Sequence, residues 1–278
     1  MSRVTIDAVI GTIHKLPALP AVVMDLLASL AQEDMDIDAL SKKITTDQVL
    51  TAKTLKVANS TFYGMSRQVA TVSEAIAVLG FHTIRNLVTT TAMVNGMPAR
   101  NQGGFDMLSF WRHAIATAVC ANAIAAELSE HKSQAYTAGL LHDIGRLVLA
   151  TQFEAEYEHA MDYRVAHDCC AATAEEISMG LDHAAVGAAL AQHWRFPIVI
   201  QQAITQHHQP ALASSLGVLV NLADAIAHAL DLSGNEDDLV PPVDQSAWTA
   251  IGLSDAALLR VFRVSETDFE AACLVLST

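Results

Sequence analysis

The sequence predicts an all-α protein, and three observations support this fold class. Hydrophobic residues make up 52% of the 278 positions but aromatic residues only 5%, so the core must be built mainly from Ala, Leu, Val and Ile. Alanine is the best helix former among the residues. Apolar residues recur at helical spacing between capping and turn signals, and no stretch shows convincing strand alternation. A chain of this length can bury a sizeable core.

The first part of the chain contains helices with recognisable start and stop signals. In LPALPAVVMDLLASLAQ, Pro20 stands at the start of a helix whose valines and leucines recur at helical spacing. Asp47 is a candidate N-cap for a following helix. Thr71 and Glu74 match a capping box, and Gly80 ends the helix that they open. The segment FHTIRNLVTTTAMV predicts another helix, although its β-branched threonines disfavour one.

Residues 95–105, NGMPARNQGGF, are the best candidate for a boundary between two lobes, because Pro98 and the glycines interrupt the helical periodicity. We therefore divide the chain into an amino-terminal helical lobe (1–98), a helical bundle (105–230) and an acidic linker with C-terminal helices (231–278). After the boundary, the predicted helices span residues 108–128, 134–150, 154–168, 173–179, 183–193, 197–209, 212–230, 255–262 and 267–276. Asp182 is a candidate N-cap for the helix over 183–193.

The charge balance and the cysteines narrow the class of protein. The formal net charge is −14 and no run of Lys or Arg is visible, which argues against a duplex nucleic acid or an anionic membrane surface as partner. No apolar run reaches the ~18 residues of a spanning helix, and the amino terminus lacks the apolar segment of a signal peptide. We expect a cytoplasmic protein. No cysteine belongs to a CxxC pair, which favours reduced core thiols at Cys120, Cys169, Cys170 and Cys273.

Charged and polar side chains interrupt several apolar helical segments of the second lobe. In GLLHDIGRLVLA, His142 and Asp143 stand side by side among aliphatic residues. Burying an ionised carboxylate costs several kcal/mol unless it is paired or coordinated, so this pair needs partners. Similar positions in other apolar segments are His113, His183, His207, His208 and Asp224. Taken singly, a histidine on an apolar helix is more often a hydrogen-bonded core residue than a ligand.

Together these residues would form a polar centre in an otherwise apolar bundle. Divalent cations stabilise such a centre, because imidazole and carboxylate ligands replace the water around the metal and the metal neutralises the acids. A carboxylate can also bridge two cations, and two-metal sites use this arrangement in phosphoester hydrolysis. The combination therefore predicts a buried site for one or two divalent metal ions.

The order of these residues resembles that of the HD superfamily of metal-dependent phosphohydrolases. The resemblance is closer to the HDOD branch, the HD-related output domains of bacterial signalling proteins. It rests on LPALPAVVMDLL, LKVANSTFYG and VSEAIAVLGFHTIRNLV in the first half, and on GLLHDIGRLVL, DHAAVGAAL, HWRFPIVIQQAITQHHQP and VNLADAIA in the second. It covers roughly residues 14–230. It implies a multi-helical HD-type bundle with an amino-terminal helical lobe.

The resemblance also implies a ligand set. One metal would take His113, His142, Asp143 and Asp224, and a second would share Asp143 and use His183, His207 and His208. The ion would be Fe, Mn, Zn or Mg, because His and carboxylate ligands suit several of these metals. The remaining histidines, including His228, have no counterpart in the HD pattern.

Three departures from catalytic relatives bear on activity. The HD-GYP phosphodiesterases have an acid where this chain has Ser109, and a loop with Gly and Tyr where this chain continues as HHQPALASSLG. We therefore do not expect hydrolysis of cyclic di-GMP. HD enzymes often have Lys where this chain has Arg146, which would either hold a phosphate through two hydrogen bonds or pair with a surface acid. We favour the surface acid.

These observations leave three hypotheses for function. The first is a regulatory output module that binds signalling proteins, which is the role that the resemblance to HDOD domains implies. The second is a phosphohydrolase acting on a nucleotide or another phosphate ester, with Asp143 and Arg146 as candidate catalytic residues. The third is a metal- or ligand-sensing protein. An alanine- and leucine-rich helical surface could support a homodimer.

In NSTFYG, we favour a helix end with Gly64 in a left-handed conformation over a binding loop.

Overall fold

A computed structural model describes residues 3–14, 19, 21–28, 30, 37–64, 68–96, 105–129, 132–234, 240, 241 and 243–276. The described residues contain α-helices and two short 3-10 helices, with no strand among them, so the predicted all-α class is confirmed. The α-helices are α1 (Ile6–Ile13), α2 (Ala21–Ala28), α3 (Ile37–Thr46), α4 (Gln48–Ala58), α5 (Val72–Leu79), α6 (Phe81–Gly96), α7 (Met107–Leu128), α8 (Lys132–Leu141), α9 (Ile144–Gln152), α10 (Glu154–His167), α11 (Ala171–Met179), α12 (His183–His193), α13 (Ile198–Gln206), α14 (Ser215–Ala229), α15 (Gln245–Ile251) and α16 (Asp255–Cys273).

Helices α2–α6 form the amino-terminal lobe, and their ends follow the capping signals. The Asp47 carboxylate accepts hydrogen bonds from the backbone N–H groups at the start of α4. The Thr71 hydroxyl accepts from the N–H of Glu74 at 3.1 Å, and Gly80 ends α5 with φ of +83°. The predicted helix 81–94 forms as α6, and its three threonines at 89–91 are buried. Pro20 lies outside the described residues.

Helix α7 is the centre of the second lobe. Its side chains are buried on nearly all faces, and it packs against α8, α14 and α16. Helix α12 packs against α9 and α13, and α1 packs against α12 from outside. Small residues make this close packing feasible, since nine of the buried positions in α7 are Ala, Cys, Thr or Val. The apolar interior therefore runs continuously from the amino-terminal lobe into the second lobe.

Several predicted helix limits were wrong. The predicted helix 134–150 is broken at His142 and Asp143 into α8 and α9, because backbone contacts to α12 hold the second half in place (see below). The predicted helices 255–262 and 267–276 are one helix, α16, since residues 263–266 contain no Gly or Pro and place Ser265 in the interior. Helix α14 begins only at Ser215, because residues 210–212 form a 3-10 turn and Ser214 caps the helix.

Three helices, α1, α3 and α15, were not predicted from the sequence. Each has ten residues or fewer, so the apolar period is short and mixed with exposed positions. Helix α1 is fixed by contacts that lie far away in sequence, including a backbone hydrogen bond from the N–H of Val4 to the Met179 carbonyl at 2.8 Å. The boundary residues 97–104 lie outside the described part of the chain, and the division into 1–98, 105–230 and 231–278 stays a prediction.

The cysteines and the helix lengths bear on two further expectations. All four cysteines are free thiols, but only Cys120 is fully buried. Cys170 is exposed, so the expectation that all four belong to the core was wrong; the residue lies at the amino-terminal end of α11, a surface helix boundary. Within the described ranges, each helix is too short or too polar to cross a lipid bilayer.

Candidate metal centre

The seven predicted donor residues lie together in the interior of the second lobe. Their donor atoms form two groups, and within each group all of these atoms lie within 4.8 Å of one another. We call His113, His142 and Asp224 the first donor group. The second donor group consists of Asp143, His183, His207 and His208. Six of the seven residues are buried, and His208 is at the surface.

The break between α8 and α9 depends on two glycines that allow backbones to touch. An ideal Cβ on Gly145 would lie 2.0 Å from the carbonyl oxygen of His183 and 2.6 Å from the N–H nitrogen of Gly187. Gly139 lies close to α7 in the same way, although the approach is less tight, with 2.8 Å between its ideal Cβ and the Cα of Ala118. These contacts bring the residues between α8 and α9 next to both α7 and α12.

The first donor group joins side chains from α7, α14 and the α8–α9 junction. The Nε2 atom of His113 lies 3.1 Å from Oδ1 of Asp224 and 3.3 Å from Nε2 of His142. The Nδ1–H of His142 donates to the Gly139 carbonyl at 2.7 Å, so its Nε2 presents a lone pair to the group. Nε2 of His228, one turn after Asp224, lies 3.4 Å from the same Oδ1.

The second donor group is arranged around one oxygen of Asp143. Oδ1 lies 3.0 Å from Nε2 of His183 and 3.6 Å from Nε2 of His207. It also lies 3.4 Å from Nε2 of His142, so Asp143 stands between the two groups. The Nε2 atoms of His183 and His208 are 2.7 Å apart. As predicted, Asp182 caps α12, and this cap holds His183 at the first turn of the helix.

Glu175 supports the second donor group and was missed by the sequence reasoning. It is completely buried in α11, and its Oε2 accepts hydrogen bonds from the backbone N–H and the Nδ1–H of His183, at 2.8 and 2.6 Å. A carboxylate behind a histidine fixes which ring nitrogen carries the proton and makes the other a better ligand. The only sequence signal was a glutamate on the buried side of a short helix, beside Ala172 and Ala174.

The chemistry of these donors fits a bound cation. His142 and His207 each donate Nδ1–H to a backbone carbonyl at 2.7 Å, which leaves their Nε2 lone pairs pointing into the cluster. Nε2 of His207 is buried and has no hydrogen-bond partner among the described residues. Lone pairs facing each other and carboxylate oxygens in a buried site repel unless a cation lies between them. Imidazole and carboxylate donors in this number suit a divalent metal ion.

The electrostatics favour the ligand forms of His142, Asp143 and Asp224. Burial lowers the pKa of His142 to about 4, so this imidazole is neutral. Burial alone would raise the pKa of Asp143, but His142 and His183 hold it well below its usual range. For Asp224, burial is likewise outweighed by hydrogen bonds from His113 and His228, and its pKa is also well below normal. Both acids are therefore carboxylates, which is the state that a metal requires.

Arg146 pairs with an acid, but not with the surface acid that we expected. Its Nη1 donates to Oδ2 of Asp143 at 3.0 Å, and its Nε donates to the Tyr157 hydroxyl at 3.2 Å. The expectation was wrong because α9 starts directly after Asp143, which places the two residues one turn apart on the same face. The Ser109 hydroxyl donates to Asp106 at the start of α7.

An all-α bundle with an ordered set of buried His and Asp residues defines a protein of the HD type. The sequence profile of the HDOD domain matches residues 16–210, and the chain belongs to the HDOD domain family. The resemblance drawn from the motifs is thereby confirmed.

Solved structures agree with this fold. An HDOD domain protein from Geobacter sulfurreducens has a TM-score of 0.79 and 23% sequence identity, with 98% of this chain and 99% of that chain covered. A candidate phosphohydrolase from Shewanella amazonensis has a TM-score of 0.73 and 26% identity over 96% of this chain and 97% of that chain. A candidate signal transduction protein from Marinobacter aquaeolei has a TM-score of 0.80 and 21% identity, covering 100% of this chain and 62% of that chain.

Curated relatives match by sequence over part of their length. An uncharacterized protein of Treponema pallidum is 23% identical over 198 residues, which is 70% of this chain and 38% of that protein. Ribonuclease Y of Latilactobacillus sakei is 28% identical over 193 residues, which is 68% of this chain and 31% of that protein. The match with this chain thus spans between 31% and 38% of the length of these two relatives.

Proposed function

We propose that this protein is a regulatory output module of bacterial signal transduction that keeps an HD-type centre for divalent metal. Membership of the HDOD family and the convergence of the donors support this proposal. The single observation that carries it is the ion pair between Arg146 and Asp143, at 3.0 Å, within the cluster itself. This pair supports a metal centre that stabilises a conformation over one that is held open for a substrate.

The ion pair closes one side of the carboxylate that stands between the donor groups. Oδ1 of Asp143 faces the histidines, whereas Oδ2 is held by Arg146, which Tyr157 holds in turn. The side chain of Arg146 is only 21% exposed, so a phosphate group that entered here would have to displace it from Asp143. Breaking a buried ion pair is strongly unfavourable, which disfavours substrate entry by this route.

The proposed ligands follow the two donor groups. One ion would be held by His113, His142, Asp143 and Asp224, and a second would share Asp143. The second would be completed by His183, His207 and His208. The donor set suits Fe, Mn, Zn or Mg, in one or two copies. In this arrangement Glu175 orients His183. A bound metal would let Asp143 couple α9 to α12.

We propose that the protein binds signalling proteins in the cytoplasm. We also propose that two copies of the chain can form a homodimer. The net charge of −14 disfavours nucleic acid and anionic membranes. The relative named ribonuclease Y matches this chain over only 31% of its own length. The acidic composition of this chain, in addition, does not favour RNA binding.

A second candidate function is hydrolysis of a phosphate ester, such as a nucleotide. The full set of seven donors favours it, as does the likeness to a candidate phosphohydrolase of Shewanella amazonensis. Divalent ions bound here would supply the charge that activates water and neutralises phosphate oxygens. In that case Arg146 would have to leave Asp143 and bind the phosphate through its guanidinium.

One experiment separates the two functions. The wild-type protein, Asp143→Ala and the control Asp162→Ala are purified, loaded with Fe, Mn, Zn or Mg, and analysed for bound metal. Asp162 is an exposed acid on α10 and lies outside both donor groups. The same samples are then tested for hydrolysis of a panel of nucleotides and phosphomonoesters.

The regulatory function predicts bound metal in wild type and Asp162→Ala, its loss in Asp143→Ala, and no turnover that depends on Asp143. Turnover that requires both metal and Asp143 would instead establish the hydrolase. Equal metal content in Asp143→Ala and wild type would contradict the metal centre on which both functions rest.

A further inference from the structure

A cavity lies away from the two donor groups, where the amino-terminal lobe meets the C-terminal helix. We propose that the cavity between α4, α6, α7 and α16 binds a small organic ammonium ion, with Asp268 as its counter-ion. The cavity has a volume of about 180 Å³, and none of the seven donor residues lines it.

The walls of this cavity are built from segments that are distant in sequence. The cavity is lined by Val57 and the turn after α4, by Leu87 of α6 and Val119 of α7, and by Ala272 of α16 with the following 3-10 turn. These aliphatic surfaces suit a compact apolar body. A ligand placed here would contact both lobes at once.

Polar groups at the cavity are available to a ligand. Asn86 and Asn122 line it from α6 and α7, and neither side-chain amide makes a hydrogen bond with another residue of the described part of the chain. By contrast, the Tyr136 hydroxyl is paired with Thr90 at 2.9 Å. Open amides beside apolar walls are typical of small-molecule sites, where a few polar groups fix the orientation of the ligand.

The charge at the cavity selects a cation. Asp268 is the only charged residue among those that line it, within the described ranges. Asp268 remains exposed to solvent, and partial desolvation of its carboxyl by the surrounding protein atoms raises its pKa; no cation among the described residues offsets this effect. The Tyr63 hydroxyl is close enough for Asp268 to raise its pKa, in addition to the larger effect of burial. An ammonium group would supply the missing positive charge, and the tyrosine rings would favour it further.

The cavity also gives a role to the segment NSTFYG, residues 59–64, which lies outside both donor groups. In NSTFYG, the Asn59 amide binds the carbonyls of Leu55 and Val69, and Gly64 has φ of +56°, so the predicted helix end is confirmed. The first and last residues of the motif thus form the helix end and the turn that follows it. Phe62 and Tyr63 lie between them and line the cavity, which assigns a binding role to the middle of the same segment.

The test uses the full chain and four probes: n-butylammonium and phenethylammonium as cations, 1-butanol as a neutral isostere and butyrate as an anion. Binding is measured by calorimetry and by the thermal midpoint for wild type, Asp268→Asn, Ala272→Leu and the control Glu266→Gln. Glu266 is an exposed acid of the same helix that does not line the cavity. Asp268→Asn removes the charge and keeps the size, and Ala272→Leu fills the space.

We expect the ammonium probes to bind about tenfold more tightly than their neutral or anionic counterparts, because the contact with Asp268 is charge-assisted. Asp268→Asn should remove that preference, Ala272→Leu should abolish binding, and Glu266→Gln should bind as wild type does. Equal affinity for 1-butanol and n-butylammonium, or an unchanged affinity in Asp268→Asn, would overturn the proposal. So would the lack of saturable binding by either ammonium probe in the millimolar range.

Discussion

The first donor group takes two of its three residues, His113 and Asp224, from the middle of long helices, whereas the second takes all of its donors from helix ends. His183 is the first residue of α12, and His207 and His208 follow α13. Mid-helix donors are positioned by the packing of whole helices, which is tolerant of small local changes. Donors at helix ends depend on caps, turns and close backbone contacts, each of which involves only a few atoms.

The outer contacts of the two groups differ in the same sense. Behind the second group lies Glu175, fully buried, with two hydrogen bonds of 2.8 Å or less to His183. Behind the first group, His228 contacts Asp224 at 3.4 Å and is partly exposed. The second group therefore owes its geometry to a few specific contacts, such as the hydrogen bonds from His183 to Glu175. Removing these contacts should lower stability and metal affinity more than removing the outer contacts of the first group.

The largest expected effect comes from the backbone contact beneath the second group. Gly145→Ala would place a methyl group 2.0 Å from the His183 carbonyl oxygen, so α9 and α12 must separate. We expect a loss of about 3 kcal/mol in the free energy of unfolding, since overpacking against rigid backbone cannot relax through a side chain. Urea denaturation monitored by circular dichroism measures the change.

The matched control is Gly11→Ala. This glycine lies in helix α1, and no heavy atom lies within 4 Å of its ideal Cβ. Alanine should stabilise the protein here by about 0.5–1 kcal/mol through its higher helix propensity. Equal changes in the two variants would show that the contact between α9 and α12 does not hold the second group.

Metal addition should have the next largest effect. At a free metal concentration about 100 times its Kd, binding to the folded state alone stabilises a protein by about 2.7 kcal/mol. We expect the thermal midpoint to fall on treatment with a chelator and to return when the metal is restored. Asp143→Ala should show neither change, because Asp143 stands between both groups. A response to metal in Asp143→Ala equal to that of wild type would place the metal elsewhere.

The same contrast explains what the sequence could predict. His113 and Asp224 could be identified as candidate ligands from the sequence, because each polar residue stands in the middle of an otherwise apolar helical segment. Local capping signals predicted the starts of α4, α5 and α12 at Asp47, Thr71 and Asp182. The all-α class followed from the composition and the period of the apolar residues.

Two of the features that sequence reasoning missed, the break before α9 and the role of Glu175, depend on contacts between distant segments. The helix break before α9 is imposed by the approach of Gly145 to α12, which no local pattern encodes. Glu175 is buried because His183 lies opposite it, and a glutamate in a short helix otherwise predicts a solvent-exposed face. The partner of Arg146 is, by contrast, a local one: Asp143 lies three residues earlier, a spacing that brings two side chains together on a helix, whereas we had assigned Arg146 to a surface acid.

A substitution behind each donor group tests the comparison directly. Glu175→Gln keeps the size of the side chain but removes the charge that orients His183. We expect metal affinity at the second group to fall by about 10- to 100-fold, the usual effect of losing such a support. Competition with a chromophoric chelator measures it. Glu176→Gln, an exposed neighbour, should bind metal as wild type does, and an equal loss in both variants would contradict a specific role for Glu175.

The smallest expected effect is at the first group. His228→Phe keeps a ring beside His113, whose ring centroid lies 4.6 Å away, but removes the Nε2 contact to Asp224. Because that contact is long and partly exposed, we expect metal affinity at the first group to fall only about threefold. The same chelator competition measures it, with His159→Phe, an exposed position on α10, as the control. If His228→Phe weakened binding as much as Glu175→Gln does, both groups would depend equally on their outer contacts, and the difference between mid-helix and helix-end donors would have no energetic meaning.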